Sequence, residues 1–258
     1  EVDQIVPVDY VCPDGELLKA VKGDCFDYVV SSHVIEHTPN PLKFLSDVWA
    51  MLKPGGLLFL IIPDKRFTFD VRRPITTFGV ALQNFYLKKS KPDVAAVYDH
   101  FSLATHANGH NIWHGINNPE DSRVLTSSAY AWEASSRVQN EDIYLDVHIN
   151  IFTPQSFFDI LYKAVDHGIV TYRVEKFIDT GIGQIEFIVA LEKPQLDDLE
   201  KSKEICLDSI PTLELENILS PYMPQVNALS NALEQAIKIN GSTQIALEME
   251  RKKSLGIE

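Results

Sequence analysis

Asp146 and His148 stand two residues apart in the alternating stretch Asp146-Val147-His148-Ile149-Asn150-Ile151, which places both side chains on one face of an extended chain. An aspartate that orients a histidine makes a general base able to deprotonate a hydroxyl. The plainer alternative is a buried polar pair that closes a loop onto a core. Ser31, Ser32 and His33 follow the apolar run Phe26-Asp27-Tyr28-Val29-Val30, and Lys65 and Arg66 follow the longer run Leu57 to Pro63. Residues just past the carboxyl ends of buried strands are where α/β sheets bind ligands. His33 is therefore a second candidate base, and Lys65 and Arg66 can hold an anionic or sugar acceptor. Arg72 and Arg73 are weaker candidates of that kind. Glu36 and His37 form a recognisable pair in the turn after His33 and read as structural. His106, His110 and His114 repeat every four residues, as zinc ligands on one helix face would. However, Asn108-Gly109 opposes a helix there and no HExxH or cysteine context supports them, so no metal is expected.

The elements that must position these residues follow from periodicity. Gln4 to Val11 reads as a strand, Pro13-Asp14-Gly15 as a turn, Glu16 to Val21 as a short helix, and Phe26 to Ser31 as a buried strand. Leu42, Leu45, Val48, Trp49 and Leu52 recur at helical spacing, which predicts an amphipathic helix over 41–52 begun by Pro41 and stopped by Lys53-Pro54-Gly55-Gly56. Leu57 to Ile62 reads as a strand, and strand–helix–strand implies a parallel pair. Regularity then lapses until Thr153-Pro154, apart from a helix near Thr77 to Leu87. A helix to Asp166 and two alternating strands, Ile169 to Phe177 and Gln184 to Leu191, follow; the strands read as an antiparallel hairpin. Residues 64–150 are thus a long insertion, the kind that carries a lid or a binding site. After Pro194 no clear strand remains. Val226, Leu229, Leu233, Ala236 and Ile237 mark a helix in what reads as a helical extension or linker, a possible surface for self-association or a further domain.

The chain has 258 residues and a formal charge of −13. That acidity repels phosphate backbones and disfavours a nucleic-acid partner. No apolar run approaches the ~20 residues of a membrane span. Cys12, Cys25 and Cys206 lack CxxC spacing and read as free thiols of a reducing, cytoplasmic compartment. The start at Glu1 rather than Met suggests a trimmed chain.

The segment Phe26 to Arg66 resembles class I S-adenosylmethionine-dependent methyltransferases. Phe26-Asp27, Ile35-Glu36-His37 and Leu52-Lys53-Pro54-Gly55-Gly56 stand at the spacing of that family's fourth and fifth strands. Asp14-Gly15-Glu16-Leu17 resembles its acidic turn after the third strand. More narrowly, PDKRFTFD (63–70), YDHF (98–101) and DVHINIFTP (146–154) resemble type 11-like bacterial methyltransferases of surface-polysaccharide gene clusters. The resemblance implies an α/β, Rossmann-like sheet of order 3-2-1-4-5-7-6, here without its first strands and glycine-rich cofactor turn, with the insertion after the fifth strand and a C-terminal helical extension. It implies a partial methyltransferase domain over 1–194 and the extension over 195–258. It implies S-adenosyl-L-methionine as cofactor, held by Asp14, Gly15, Ser31 and Ser32. His148, Asp146 and His33 become the catalytic candidates, and Lys65, Arg66 and His100 the contacts to a small-molecule or saccharide acceptor. The expected reaction is methyl transfer to an oxygen or nitrogen. The rival readings are a non-catalytic scaffold that kept the sheet, and a nucleotide-dependent oxidoreductase, against which the Pro-Gly-Gly strand entry and the hairpin argue.

Overall fold

The computed structural model describes residues 7–13, 15–141, 143–195 and 199–213. A compact unit runs to Leu213, and the helix expected over 226–237 lies outside the described residues.

Four strands make one sheet: β1 (Phe26–Ser32), β2 (Leu52–Pro63), β3 (Arg173–Ile178) and β4 (Glu186–Glu192). Their order is β1-β2-β4-β3, with β1 and β2 parallel and β4 antiparallel to both of its neighbours. This matches the last four positions, 4-5-7-6, of the strand order that the sequence resemblance implies.

Helix α1 is a single turn (Leu17–Ala20), and α2 (Pro41–Met51) makes the crossover between β1 and β2. Asn40 caps α2 by accepting from the Lys43 N–H at 3.0 Å, with Pro41 in the first turn. Its apolar stripe, Leu42, Leu45 and Val48, is buried in the main core, each side chain contributing about 1.5–3 kcal/mol by leaving water. The helix stops where expected, but β2 begins earlier than predicted. Phe26 pairs with Leu52 and Tyr28 with Leu57, so Lys53 to Gly56 bulge out opposite Asp27. Only glycine fits the closing position, because a Cβ on Gly56 would stand 2.8 Å from the Lys53 carbonyl oxygen.

The insertion is more helical than its sequence suggests. It holds α3 (Phe78–Tyr86), α4 (Val94–Leu103), α5 (Gly109–His114) and α6 (Ser128–Glu141). Val97, Ala134 and Val147 make a small core of their own there, with Phe101, Val138, Leu145 and Ile149 around it. Asn108 caps α5 and leaves His106 outside it, so the three histidines do not share one helix face.

Helix α7 (Pro154–Asp166) opens on a capping box between Thr153 and Ser156 and buries Phe157, Phe158, Leu161 and Val165 against the sheet. β3 starts later than predicted because the Ile169 and Val170 N–H groups turn back to the Ala164 carbonyl and finish the helix. Helix α8 (Leu199–Ser209) packs on α7 and β3, and its Cys206 belongs to the main core.

The strand expected at Gln4 to Val11 does not form over residues 7–11; residues 4–6 lie outside the described residues. Val8 and Val11 are exposed, and no described strand stands beside them. A lone strand without a ladder is not stable in water, whatever its β-branched content. β1 also has a free edge among the described residues, and Tyr28 and Val30 on one of its faces are 66% and 60% exposed.

Candidate active site

At the carboxyl end of β1 the chain turns sharply. His33 takes a left-handed backbone (φ 51°), unusual for a residue with a Cβ, while its N–H extends the ladder to the Ile61 carbonyl at 3.0 Å. A 3-10 turn, Ile35–His37, follows. Ile35 is buried as its anchor, which forces Glu36 inward: its side chain is 0% exposed. Neither Glu36 carboxylate oxygen has a hydrogen-bond partner among the described residues.

The end of the insertion docks on this turn. Ile149 and Asn150 donate their N–H groups to the Glu36 carbonyl at 2.7 and 2.9 Å. The Asn150 side-chain amide donates to the carbonyls of Ile35 (3.0 Å) and Thr38 (2.7 Å). These bonds bring His148, 8% exposed, beside Glu36 and His37; the His37 and His148 rings meet edge to face at 4.7 Å.

Each of these histidines is held by a carboxylate. His148 Nδ1 lies 2.6 Å from Asp70 Oδ2, and His37 Nδ1 lies 2.8 Å from Asp146 Oδ1. An ionised carboxylate only accepts, so both Nδ1 atoms donate a proton to it, and Nε2 is the nitrogen that carries the lone pair whenever the ring is neutral. The sequence reading paired Asp146 with His148, and the structure corrects that. Residues 143–150 belong to no ladder, so nothing holds positions two apart against one partner. Asp146 reaches His37, and His148 is oriented instead by Asp70, a residue the sequence reading did not single out. Asp70 is itself buried and bonded to Arg73 at 2.9 Å, whose other nitrogen donates to the His148 carbonyl. Arg73, a weak acceptor candidate from sequence, is thus an internal strut. Burial pushes the Asp70 carboxyl up, but the His148 hydrogen bond and the Arg73 charge outweigh it and hold the group below the usual carboxylate range. Burial raises the Glu36 carboxyl, and the neighbouring His148, His37 and His33 offset only part of that rise.

The other candidates fall into two groups. His33 joins the cluster: its Nδ1 is 3.5 Å from Glu36 Oε1, its Nε2 is 3.9 Å from Glu186, and its side chain is 40% exposed. His100 joins it too, with its ring 6.0 Å from that of His148; burial and then the Arg73 charge lower it to about 4, so it stays neutral near pH 7. Lys65 and Arg66 are tied inward. Lys65 Nζ donates to the Val71 carbonyl at 2.9 Å, and Arg66 forks onto the fully buried Asp64 at 2.6–3.0 Å. Asp64 also takes a hydrogen bond from Thr180, so this charge pair pins the insertion to the hairpin loop.

Of the cofactor candidates, Ser31 is buried with its hydroxyl unpaired among the described residues, and Ser32 is exposed. Gly15 lines a cavity of ≈ 720 Å³ with Leu17, Val34, Thr38, Asn40 and Lys43. Asp14 lies outside the described residues, and neither serine lines that cavity. Among the described residues no helix is long and apolar enough to cross a membrane.

A family model described as a methyltransferase domain matches residues 5–164. The chain belongs to that family. Its sheet and hairpin are those of a class I methyltransferase, and such enzymes use S-adenosylmethionine. The chain is 43% identical over 58 residues to a ubiquinone biosynthesis O-methyltransferase of Parvibaculum lavamentivorans, covering 22% of each chain. It is 39% identical over 59 residues to a protein of the same name from Xanthomonas campestris pv. campestris, covering 23% of this chain and 25% of the relative. A Coxiella burnetii protein of that name is 31% identical over 64 residues, 25% of this chain and 27% of the relative. The chain therefore spans about a quarter of the length of these curated relatives. No solved structure matches it significantly.

The residues present fit the cofactor in part. A cavity of ≈ 720 Å³ lies within the ~300–1,000 Å³ of small-molecule sites, and its mixed apolar and polar wall suits the adenosine end. For the methionine end the fit fails. The glycines ahead of β1 are Gly15 and Gly23, and neither belongs to a glycine-rich strand–helix turn.

Proposed function

We propose that this methyltransferase transfers the methyl group of S-adenosylmethionine to an oxygen of a small-molecule or sugar-containing acceptor bound over Glu36, His37 and His148. The observation that carries this reading is the convergence of His33, His37 and His148 on Glu36 at the carboxyl end of β1, next to the Gly15–Thr38 cavity. Ligands of such sheets bind at that end. The names of the relatives favour oxygen over nitrogen, and the aromatic and histidine-rich insertion, residues 64–150, supplies the wall on which a ring-shaped acceptor can stack. Glycans of the cell surface are the saccharide acceptors that the motifs of the insertion suggest.

The sulfonium is already an activated donor. The chain's task is to hold the acceptor oxygen in line with it, an alignment worth roughly 7–11 kcal/mol in well-oriented systems. With the donor bound, the acceptor's oxygen–carbon bond would form as the sulfur–carbon bond breaks, and the imidazole cluster would take up the hydroxyl proton. We propose further that the glycine turn for the methionine end sits on a strand pairing with the free edge of β1, which would also cover Tyr28 and Val30.

The test uses the full-length protein with S-adenosylmethionine labelled in its methyl group and a panel of phenolic, glycosidic and amine acceptors. Label should enter oxygen acceptors. His148→Gln should lower kcat about 10²-fold or more while leaving the KM for S-adenosylmethionine nearly unchanged, as for a group that matters mainly in the transition state. Labelling of amines alone, or an unchanged kcat, would remove this reading.

A further inference from the structure

The proposed reaction does not by itself explain why a carboxylate is buried with nothing to satisfy it. Glu36 is 0% exposed, both of its oxygens lack a hydrogen-bond partner among the described residues, and His33 and His37 approach one of them only to 3.5 and 3.9 Å. Burying an ionised carboxylate without a partner costs several kcal/mol, so such a group is normally protonated, paired or bound to a metal. The two histidines beside it show the complementary feature. Each donates its Nδ1 proton to an aspartate, His37 to Asp146 and His148 to Asp70, so Nε2 is the nitrogen of each ring left to serve as a ligand. This carboxylate–histidine arrangement is how proteins fix the tautomer and aim of a metal-ligating imidazole. One aspartate–histidine pair is equally a general base; two of them converging on one unsatisfied carboxylate are not required for proton transfer.

We propose that Glu36, His37 and His148 form a binding site for a divalent first-row transition cation. One ligand atom from each of the three lies within 4.8 Å of the others. Around an ion at 2.0–2.2 Å, donor atoms stand about 3.4 Å apart, so closure needs a contraction of at most about 1.4 Å, within reach of small side-chain rotations. Two imidazoles and one carboxylate are a donor set that suits zinc, iron or manganese and leaves at least one coordination position open. Resting on the function proposed above, that position takes the acceptor oxygen. The bound hydroxyl is then acidified by the ion and loses its proton to His33, which is outside the ligand set and reaches solvent. The alternative metal candidates of the insertion are weaker: the His110 and His114 rings lie 4.4 Å apart, tilted to each other, on a six-residue helix with no carboxylate beside them among the described residues.

The experiment is titration of the full-length protein with cobalt(II) chloride and zinc chloride, followed by calorimetry and by the visible d–d absorption of cobalt. One ion per chain should bind, with a cobalt spectrum that changes when zinc displaces it. Glu36→Gln and His148→Gln should each weaken binding at least tenfold. Asp146→Asn, on an exposed side chain that leaves the fold alone, should weaken it about tenfold through the imidazole it orients. A His110→Gln, His114→Gln double variant should bind as the parent does. Absence of a stoichiometric cobalt spectrum in the parent, or undiminished, parental affinity in Glu36→Gln and His148→Gln, would overturn the site. Full methyl transfer by chelator-treated protein would leave the methyltransferase reading standing without the ion. Binding with no transfer to any acceptor would do the reverse.

Discussion

Replacing Asn150 by alanine tests how the candidate site is assembled. Asn150 is 1% exposed, and its amide donates to the carbonyls of Ile35 and Thr38 at 3.0 and 2.7 Å across the turn that carries Glu36 and His37. Alanine keeps the backbone bond to the Glu36 carbonyl but removes both side-chain donors. Each lost bond costs about 0.5–1.5 kcal/mol net, and an orphaned buried acceptor costs more. With the small void left behind, about 2–4 kcal/mol of stability should vanish. For a unit of this size a kcal/mol moves Tm by roughly 2–4 °C, so a fall of about 4–16 °C is expected. Urea denaturation followed by fluorescence should show a lower midpoint with an unchanged slope. The exposed Asn117→Ala is the control and should shift nothing measurable. A loss below about 0.5 kcal/mol for Asn150→Ala, equal to that of the control, would mean that the Ile149–Asn150 backbone bonds suffice to dock the insertion. The account of why His148 meets Glu36 would then be wrong in its energetics.

Gly56→Ala should destabilise by about 1–3 kcal/mol in a denaturation series, because its Cβ meets the Lys53 and Asp27 carbonyls at 2.8 and 3.1 Å and neither backbone atom can give way cheaply. Cys206 should resist thiol labelling in the native protein at pH 8 and react after unfolding, since burial removes access and raises its thiol to about 11, while the exposed Cys25 should label at once. Mass spectrometry of the labelled peptides distinguishes them, and native labelling of Cys206 would show that α8 is not docked on the core.

Much of the scaffold was legible in the sequence because its elements are stabilised locally. The Leu42–Leu45–Val48 stripe and the Thr153–Pro154 cap specify α2 and α7 from residues within a few turns, and both form where expected. The Gln4–Val11 run carries the same kind of local signal and yet forms no strand over 7–11, since a strand is stabilised by a neighbour that a single run cannot supply. The site was harder to read for a related reason. His148 and His33 were visible as histidines near strand ends, but their partners depend on distant segments: Asp70 lies 78 positions before His148, and Asp146 reaches back 109 positions to His37. Alternation suggested a local Asp146–His148 pair because it presumes a β ladder, and none of 143–150 joins one. Lys65 and Arg66 looked like solvent-facing cations, whereas a buried aspartate two residues earlier claims the guanidinium.

The bonds from Ile149 and Asn150 to the Glu36 carbonyl amount to a clasp between the two ends of an excursion of the chain. Of the cluster, His33, Glu36 and His37 come from the stretch before β2, and His148 comes from the far end of the insertion. The sheet can therefore persist while the clasp opens, and a local fluctuation of residues 146–150 would switch off the chemistry without unfolding the core. The clasp also frees the intervening helices, His100 of α4 apart, from duty to the reacting groups. α3 to α6 can drift in sequence, length and surface, and so in the acceptors they admit, provided that Asp70 remains to hold His148 and residues 148–150 still return to the same turn.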